Sequence, residues 1–573
     1  MPSTPPAPRR SPTRPTGRTQ LTRRARLILT LDVLVAAAAI VTLATWATGG
    51  IRTSPFGIRV SSSSVLRPFL IAVVAWLAAR WLGGDIARSR PLLARAAVPA
   101  AALAVVAFSW WQAAPYAAAA DMFGYVSQAF DWRAGSLVHA EWAVAPPGFP
   151  PGATVPLGYL LRMDPAPAAV ALYPPGLPLH MAAASLVAPW AVYLVSPLAA
   201  AALVFGTHAL GRVWRDEEAG RWAAVLVAFS PVLLAQAVVP MSDTLAAAYW
   251  TWAFVFAASA RHGGHVVAGV LAGLAIAVRP SLAPLAVPLL AASAITAGVR
   301  GTLLTLMAGA PLVAALALHD ARLYGNALAT GYGDTGQLFA LANLGANVRN
   351  YGAWLVMTSS PLVLAGAAAG AVWTVLRTPQ RIPVVGLVAI TVAIHLLYLP
   401  WPNWTFTRFL LPALPAMFVM TMVVGLRLTR DRPWAFPLLA LGVLAWQMQF
   451  THRSEIRYTR PAMSRFEALA RHLKANGLVR APIVTRLHSG SLRFYAGAEQ
   501  AVRWDQVSTD ELRRGVQLAL DAGMQPLFVD DVDDRADFEA RFGPLACWAD
   551  ESRVLFDVRA PAPVRVLPAR PGC

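Results

Sequence analysis

The segment Asp121-Met-Phe-Gly-Tyr125-Val-Ser-Gln128 opens the longest irregular stretch of the chain. That stretch continues through Asp131, His139 and Glu141, and it closes on Tyr173-Pro-Pro-Gly-Leu-Pro178. Hydrophobic runs of membrane-span length precede and follow it. A carboxylate at the end of a hydrophobic helix, followed by a long polar and proline-rich loop, indicates chemistry at a membrane surface.

Composition places the chain among polytopic membrane proteins. Of its 573 residues, 57% are hydrophobic and 13% are charged, whereas a soluble protein carries about 25% charged residues. The net charge is +19, but the basic residues cluster in short loops between apolar runs. There they orient helices rather than bind phosphate backbones, so we expect no nucleic-acid partner.

Hydropathy predicts about thirteen transmembrane helices. The basic residues favour one set of loops. This bias predicts a protein of the cytoplasmic (inner) membrane with its N-terminus on the cytoplasmic side and residues 114–185 and 451–573 on the outer side. The predicted spans lie near 27–47, 65–82, 96–113, 186–210, 222–240, 243–260, 264–279, 281–298, 302–319, 352–376, 383–399, 409–427 and 434–450.

Four regions follow from this pattern. They are a disordered basic cytoplasmic tail (1–26), two additional transmembrane helices (27–95), a transmembrane core with a large outer loop at 114–185 (96–450), and an extracytoplasmic α/β domain (451–573). In the last region charged residues return and short β-type runs alternate with helical ones, which is typical of a small soluble domain. We expect this domain to cover the cavity or to hold an acceptor.

The C-terminal domain is predicted in some detail. We expect strands at Ile483–Thr485, Gln525–Val529 and Val554–Val558, and helices at Ser464–Asn476, Thr509–Gly523 and Asp534–Phe542. Both cysteines, Cys547 and Cys573, fall here. Outside the cytoplasm they can form a disulfide, but two unpaired cysteines are the simpler interpretation.

Asp121 is the first candidate for catalysis. A partly desolvated carboxylate at the end of a span is a strong enough base to take a proton from a hydroxyl group. An ordinary helix-capping role explains its position equally well. Tyr125 and Gln128 follow at helical spacing and share its face, which predicts a polar stripe toward a cavity, although a surface helix has the same pattern.

A divalent cation, Mg²⁺ or Mn²⁺, is a second hypothesis. Asp121, Asp131, His139 and Glu141 supply the ligand types that such ions accept. Their spacing does not mark a metal site, and solvated loop charges are the alternative explanation.

Two arginines are candidate phosphate ligands. Arg279 precedes Pro280, and Arg408 opens the run Arg408-Phe-Leu-Leu-Pro412 at the end of a span. A guanidinium group binds phosphate with charge-assisted hydrogen bonds, although arginines near membrane surfaces also extend toward water without a ligand. Asp243 begins a span, and Tyr173 begins a rigid proline-rich turn.

Together these motifs resemble the GT-C superfamily of polytopic glycosyltransferases. The nearest branch contains protein O-mannosyltransferases and the aminoarabinose transferase of lipid A. The resemblance covers roughly residues 96–450, and Met122 stands where better-known members often carry an acidic residue. Its motifs are Asp121-Met-Phe-Gly-Tyr125, Tyr173-Pro-Pro-Gly-Leu-Pro178, Met241-Ser-Asp243, Gly273-Leu-Ala-Ile-Ala-Val-Arg279-Pro and Arg408-Phe-Leu-Leu-Pro412.

The resemblance implies transfer of a sugar from a polyprenyl-phosphate donor to a lipid, glycan or protein acceptor, with inversion and with Asp121 as the base. Arg408 and Arg279 would then bind the donor phosphate. Tyr125, Gln128, Tyr173 and Asp243 would bind acceptor or sugar.

Two other functions stay open. A lipid-carrier transporter or flippase requires paired broken helices near the middle of the membrane. A non-catalytic scaffold that displays the outer domain predicts that Asp121 and Arg408 are separate surface groups. The enzyme hypothesis requires these two residues to meet at one cavity.

Overall fold

The computed structural model describes residues 23–53, 60–83, 90–213, 216–333, 336, 338–432, 434–559 and 561–572. It is mostly helical and consists of two compact units, residues 1–91 and 92–573. Residues 1–22 of the predicted disordered tail lie outside the described residues. Arg23 to Arg26, which the sequence assigns to that tail, instead form the first turn of a helix.

The first unit contains two helices and a short hairpin. α1 (Arg23–Thr48) is long and apolar enough to cross a membrane. β1 (Ile51–Thr53) and β2 (Val60–Ser62) pair antiparallel and lead to α2 (Leu66–Trp81). α2 has 16 residues, fewer than the about 20 that usually span a bilayer. The second additional span therefore stays a prediction.

From residue 90 onward the chain contains eighteen helices among the described residues. They are α3 (Arg90–Gln112), α4 (Asp121–Ala134), α5 (Gly176–Ser185), α6 (Val195–Val213), α7 (Glu217–Ala228), α8 (Pro231–Ala237), α9 (Ser242–Ala257), α10 (His262–Val278), α11 (Ala286–Tyr324), α12 (Leu344–Ser359), α13 (Pro361–Arg377), α14 (Ile382–Leu397), α15 (Leu414–Leu428), α16 (Ala435–Arg453), α17 (Thr459–Ala475), α18 (Ser489–Ser491), α19 (Thr509–Asp521) and α20 (Val532–Phe542).

Four helices of the described chain are long and apolar enough to cross a membrane, or up to seven if each bent helix pair forms one span. The sequence predicts about thirteen crossings, and that number stays a prediction. The single helix predicted over 352–376 is wrong, because α12 and α13 meet at an angle of 109°. The bend lies at Ser360, which has a φ of +85° and precedes Pro361. A residue before proline is disfavoured in helical geometry.

α11 is bent within its length. Its 39 residues would extend roughly 58 Å if straight, well beyond a hydrocarbon core of about 30 Å. Ala297 and Gly298 have non-helical backbone angles, and Gly298 has a φ of +60°. Glycine adopts such angles without a steric penalty. The break lies close to the boundary between the spans predicted at 281–298 and 302–319.

The long polar segment is folded rather than irregular. It begins with α4, which ends at Gly135, and continues into a three-stranded antiparallel sheet in the order β3-β5-β4. The strands are β3 (Val138–His139), β4 (Tyr159–Arg162) and β5 (Ala168–Ala171). Phe123, Val126 and Ala129 on α4 are fully buried. This packing fixes the start of α4, where Asp121 lies.

The C-terminal region contains a five-stranded mixed sheet in the order β7-β6-β8-β10-β9. Residues on β8 alternate between two apolar cores: Leu527 and Val529 face one, and Phe528 faces the other. Such alternation follows from strand geometry and produces helices on both faces of the sheet. The strands are β6 (Ile483–Thr485), β7 (Ala501–Arg503), β8 (Leu527–Asp531), β9 (Phe556–Val558) and β10 (Val564–Pro568).

The three predicted strands of this region correspond to β6, β8 and β9, and the three predicted helices correspond to α17, α19 and α20. β7 and β10 have no counterpart among the predictions. The region belongs to the same compact unit as the preceding helices, so a domain boundary at 451 stays a prediction. Cys547 is disulfide-bonded, which contradicts the simpler interpretation of an unpaired thiol, and Cys573 lies outside the described residues.

Candidate active site

A cavity of about 1160 Å³ lies within the second unit. Helix ends form much of its wall: the N-termini of α4 and α9, the C-termini of α10, α11 and α14, and a 3₁₀ segment at Trp404–Leu410. The C-terminal region completes the wall with Glu455, Ile456, Thr459, Met463 and Leu487. The cavity is therefore enclosed partly by membrane-type helices and partly by the α/β region.

Asp121 stands at the cavity as the first residue of α4. Negative charge is favourable at a helix N-terminus. Its Oδ1 accepts a hydrogen bond of 2.6 Å from the Tyr173 hydroxyl, and its Oδ2 accepts one of 3.2 Å from Arg408 Nη2. Ala119, two residues earlier, has a φ of +49°, which non-glycine residues rarely adopt and which is common near functional sites.

Two acidic and two basic side chains form a continuous chain along the wall. Arg408 lies between Asp121 and Asp243, and its Nε is 3.9 Å from Asp243 Oδ2. Arg279, directly after α10, forms an ion pair with the other oxygen of Asp243. Asp243 lies in the first turn of α9 and is 2% exposed. A carboxylate this deeply buried requires such cationic partners.

Aromatic rings support both guanidinium groups. The Cζ atoms of Arg279 and Arg408 lie 5.0 Å and 5.2 Å from the centroid of the Phe409 ring. Phe406 lies 5.0 Å from Arg408 Cζ, and His395 stacks on Phe409 with a centroid distance of 5.4 Å. Cations are attracted to aromatic faces, so these rings hold the two arginines beside the cavity.

Three tyrosines surround Asp121. The rings of Tyr125 and Tyr173 lie 4.6 Å apart, and those of Tyr173 and Tyr332 lie 6.0 Å apart. Tyr125 donates a hydrogen bond of 2.9 Å to Ser242 Oγ. Burial, followed by the negative charge of Asp121, raises the pKa of Tyr125 and of Tyr173 well above the usual range. Both hydroxyl groups therefore keep their protons and act as hydrogen-bond donors.

The Tyr173-Pro-Pro-Gly176 motif links Asp121 to the helix end that precedes Arg279. Its tyrosine binds Asp121, and its glycine begins α5. A Cβ atom on Gly176 would lie 2.6 Å from the carbonyl oxygen of Ala277, a distance that backbone atoms cannot accommodate. Gly176 thus lets α5 approach the end of α10, where Arg279 follows.

Known structures resemble this arrangement of helices. ArnT from Cupriavidus metallidurans, bound to undecaprenyl phosphate, superposes with a TM-score of 0.51 over 82% of this chain and 97% of that chain, at 12% identity. The chain has the GT-C fold. The archaeal oligosaccharyltransferase AglB from Archaeoglobus fulgidus, in complex with an inhibitory peptide and a dolichol-phosphate, superposes with a TM-score of 0.51 over 80% and 73% of the two chains, at 10% identity. No protein-family model and no curated protein sequence matches the chain.

Of the site residues predicted from the sequence, five line the cavity: Asp121, Tyr125, Asp243, Arg279 and Arg408. Tyr173 reaches the site through its hydroxyl group.

Gln128 does not face the cavity, although its helical spacing from Asp121 predicts that it should. It is fully buried and is not part of the cavity wall. Neither its side-chain oxygen nor its nitrogen has a hydrogen-bond partner among the described residues. The polar stripe ends after Tyr125, because packing covers α4 beyond its first turns.

The four candidate metal ligands do not come together. Nε2 of His139 lies 3.3 Å from Asp131 Oδ1, and its Nδ1 lies 3.2 Å from Glu141 Oε1. Asp131 also accepts a hydrogen bond from Tyr159. Asp121 takes no part in this cluster. Among the described residues, no group of three or more His, Cys, Asp or Glu side chains has an arrangement that could hold a metal ion. The four residues therefore do not form one site, and the divalent cation stays a hypothesis.

Sequence reasoning missed several residues of the site. Ser242 lies beside Asp243 in the Met-Ser-Asp motif and binds Tyr125, and Phe409 directly follows Arg408. Adjacency to a charged candidate is a signal for both. Tyr332 follows Gly331 in a polar loop, and His395 lies within an apolar helix. For these two residues the sequence offers no signal of a cavity.

Proposed function

We propose that the chain is a membrane glycosyltransferase that moves a sugar from a polyprenyl-phosphate donor to an acceptor hydroxyl group. The observation that carries this proposal is the convergence of Asp121, Arg408 and Arg279 on one cavity. The scaffold hypothesis requires Asp121 and Arg408 to be separate surface groups, which their hydrogen bond contradicts. The lipid phosphates bound to ArnT and AglB support a donor of this class.

The two arginines would bind the donor phosphate. Arg408 is paired with Asp121 and Asp243, and Arg279 is paired with Asp243. A phosphate group competes for these guanidinium donors. When it takes Arg408, one oxygen of Asp121 becomes free for the acceptor. Donor binding would in this way prepare the base.

The reaction is a single displacement. Asp121 takes the proton of the acceptor hydroxyl as its oxygen forms a bond to the anomeric carbon. The bond between that carbon and the phosphate oxygen breaks, its electron pair stays on the phosphate, and attack from the opposite face inverts the configuration. Arg408 and Arg279 stabilise the charge that develops on the leaving phosphate.

We assign Asp243 a positioning role instead of the acceptor or sugar binding that the sequence analysis considered. Its carboxylate is almost completely buried and engages both arginines, which favours a role in positioning them. Tyr173 would orient Asp121 through its 2.6 Å hydrogen bond. Tyr125 lines the cavity and is available to contact the sugar.

A divalent cation would have to obtain ligands from the substrates, because the protein side chains do not fit one alone. We therefore assign charge stabilisation to the arginines. Transfer in the presence of excess EDTA should stay within about threefold of the rate without it. Loss of activity that Mg²⁺ or Mn²⁺ restores would contradict this assignment.

The basic-residue bias supports placing the cavity at the outer face of the cytoplasmic membrane. The acceptor is a lipid, a glycan or a protein displayed at that face. The α/β region, which lines part of the cavity, would help to hold it.

The test is donor turnover in liposomes. Radiolabelled polyprenyl-phosphate sugars are offered with membrane extract to the wild type, to Asp121→Asn and to Asp164→Asn, an exposed carboxylate of the same segment outside the cavity wall. Wild type and Asp164→Asn should consume one donor, and Asp121→Asn should be slower by about 10²–10⁴. Activity of Asp121→Asn close to wild type would remove Asp121 as the base. No turnover by folded wild type would favour a scaffold or a transporter.

A further inference from the structure

Tryptophans stand at both ends of the polar segment that contains Asp121. Trp110 and Trp111 lie at the end of α3, where the chain enters this segment. Trp190 lies where the chain leaves it, at the start of the helical stretch Pro189–Val213. The rings of Trp110 and Trp190 are 5.8 Å apart, so the two ends of the segment meet at one place.

These tryptophans belong to an exposed apolar surface. All three are more than half exposed, with Trp111 at 65%. Leu186 and Val187, which connect α5 to Trp190, are more exposed still, and Val187 reaches 87%. Large apolar side chains clustered on a surface are costly in water and mark a binding surface. We call the five side chains the tryptophan patch: Trp110, Trp111, Leu186, Val187 and Trp190.

The tryptophan patch continues along a helix that is apolar enough to cross a membrane. α3 meets that criterion over Ala94–Gln112, as does the stretch Pro189–Val213. Leu103 lies seven residues before Trp110, which places both on the same face of α3, and Leu103 is exposed as well. Lipid that surrounds α3 therefore reaches the tryptophan patch along one face.

The residue type favours the boundary between lipid and water. A tryptophan ring is apolar, whereas its indole N–H donates hydrogen bonds, and tryptophan is enriched where membrane helices meet the headgroups. Three tryptophans at the ends of two candidate spans fit this boundary better than they fit water or the hydrocarbon core.

α5 connects the tryptophan patch to the candidate active site. It ends at Ser185, directly before Leu186, and it begins at Gly176, which packs beside Ala277. Its 10 residues extend roughly 15 Å. Arg133, near the end of α4, donates a hydrogen bond of 3.4 Å to the carbonyl oxygen of Ser185. The two helices that begin at the candidate site therefore both end near the tryptophan patch.

We propose that the tryptophan patch is a lipid-binding surface that lies at the boundary of headgroups and acyl chains. It holds both ends of the polar segment at that boundary and, through α4 and α5, sets the depth of Asp121 relative to the lipid. The lipid contact itself does not depend on the proposed reaction.

The first test measures depth in liposomes with a nitroxide label on Val187→Cys, and wild type carried through the same labelling gives the background. Collisions of the label are measured with oxygen, which concentrates in lipid, and with a nickel chelate, which stays in water. The ratio of oxygen to chelate collisions at Val187 should exceed that at Val144→Cys by about threefold or more. Leu103→Cys should give a still larger ratio, because it lies about 10 Å along α3 from Trp110.

Val144 is a matched control, since it is a valine of the same segment and is 72% exposed. The next residue, Ala145, packs against the α/β region, so Val144 should face water. A ratio at Val187 as low as at Val144 would place the tryptophan patch in water. A ratio equal to that at Leu103 would place it in the hydrocarbon core, and few collisions with either reagent would mean that protein covers it. Each of these three results would overturn the proposal.

The second test concerns the depth of the site, and it alone rests on the proposed function. The double variant Leu186→Gln/Val187→Gln makes the tryptophan patch more polar without changing the cavity wall. Transfer of label in liposomes should fall about threefold or more, whereas the rate in detergent should stay within about twofold of wild type. Val144→Gln should match wild type in both.

Equal rates of the double variant and wild type in liposomes, or an equal loss in detergent, would refute the role in setting depth. If wild type moves no label from any donor, the proposed function fails, and the nitroxide measurement still decides whether the tryptophan patch binds lipid.

Discussion

Arg408 donates a hydrogen bond of 3.2 Å from Nη2 to Oδ2 of Asp121, so the proposed phosphate ligand and the proposed base are direct partners. This pairing keeps two opposite charges together in a largely apolar cavity, where either charge alone would be costly. It also makes the base and the phosphate site interdependent.

Replacement of Arg408 should weaken donor use. In Arg408→Gln the charge is lost, and we expect kcat/KM for the donor to fall by about 10²–10³. Arg408→Lys keeps the charge but loses the planar fork, so its kcat/KM should fall by about tenfold. Donor saturation kinetics measure both effects. Arg349→Gln, at an exposed position outside the cavity wall, is the control, and an Arg408→Gln rate within threefold of it would contradict the assignment.

Tyr173→Phe should lower kcat by about tenfold, because Asp121 loses the 2.6 Å hydrogen bond that orients it. The donor KM should change little, since the arginines keep their places. Single-turnover kinetics at saturating donor separate these quantities. An unchanged kcat would show that Asp121 needs no orientation from Tyr173.

Gly176→Ala should lower activity without removing any polar group. The added Cβ would clash with the backbone of Ala277 and push α5 away from the end of α10, which displaces Arg279. Gly263→Ala is the control, since Gly263 is a helical glycine on α10 itself and has open space around it. The control should be neutral or stabilising by roughly 0.5–1 kcal/mol. Equal effects of both changes on transfer would refute the close-approach argument.

Asp243 and Arg279 should show strong coupling in a double-mutant cycle. Arg279→Gln leaves the buried charge of Asp243 without this partner, and Asp243→Asn does the same to the half-buried charge of Arg279, so each change should lower the apparent Tm in detergent. The double variant should lose less than the sum of the two single changes, with a coupling of about 0.5–3 kcal/mol. Additive losses would mean that the ion pair does not hold Arg279.

His139 should make stability depend on pH. Burial lowers its pKa, but hydrogen bonding and charge from Asp131 and then Glu141 outweigh burial and raise the pKa above 6.5. The folded state therefore holds the proton more tightly than the unfolded state. The resulting stabilisation is complete below pH 6.5 and is lost as the pH rises through the folded-state pKa. Apparent Tm should fall more steeply in wild type than in His139→Gln between about pH 6 and 8, and parallel curves would rule out this contribution.

The sequence alone determined the class of protein and singled out most of the candidate site residues. Long apolar runs and sparse charge identify membrane-type helices, because hydropathy and length are local properties. Asp121, Asp243, Arg279 and Arg408 stood out because charged residues at the ends of apolar runs are costly unless they serve a purpose. The predicted strands Ile483–Thr485 and Val554–Val558 followed from equally local patterns, and they correspond to β6 and β9.

Only the tertiary structure decided which of these residues meet. Asp121 and Arg408 are 287 residues apart, and no local pattern encodes a contact across that distance. Helical spacing alone placed Gln128 with Asp121, but packing against other elements buried it. The break at Ser360 and the approach of Gly176 to Ala277 set the directions of helices that carry no catalytic group. Periodicity shows which face of a single helix is polar, whereas the site depends on how several helices pack around the cavity.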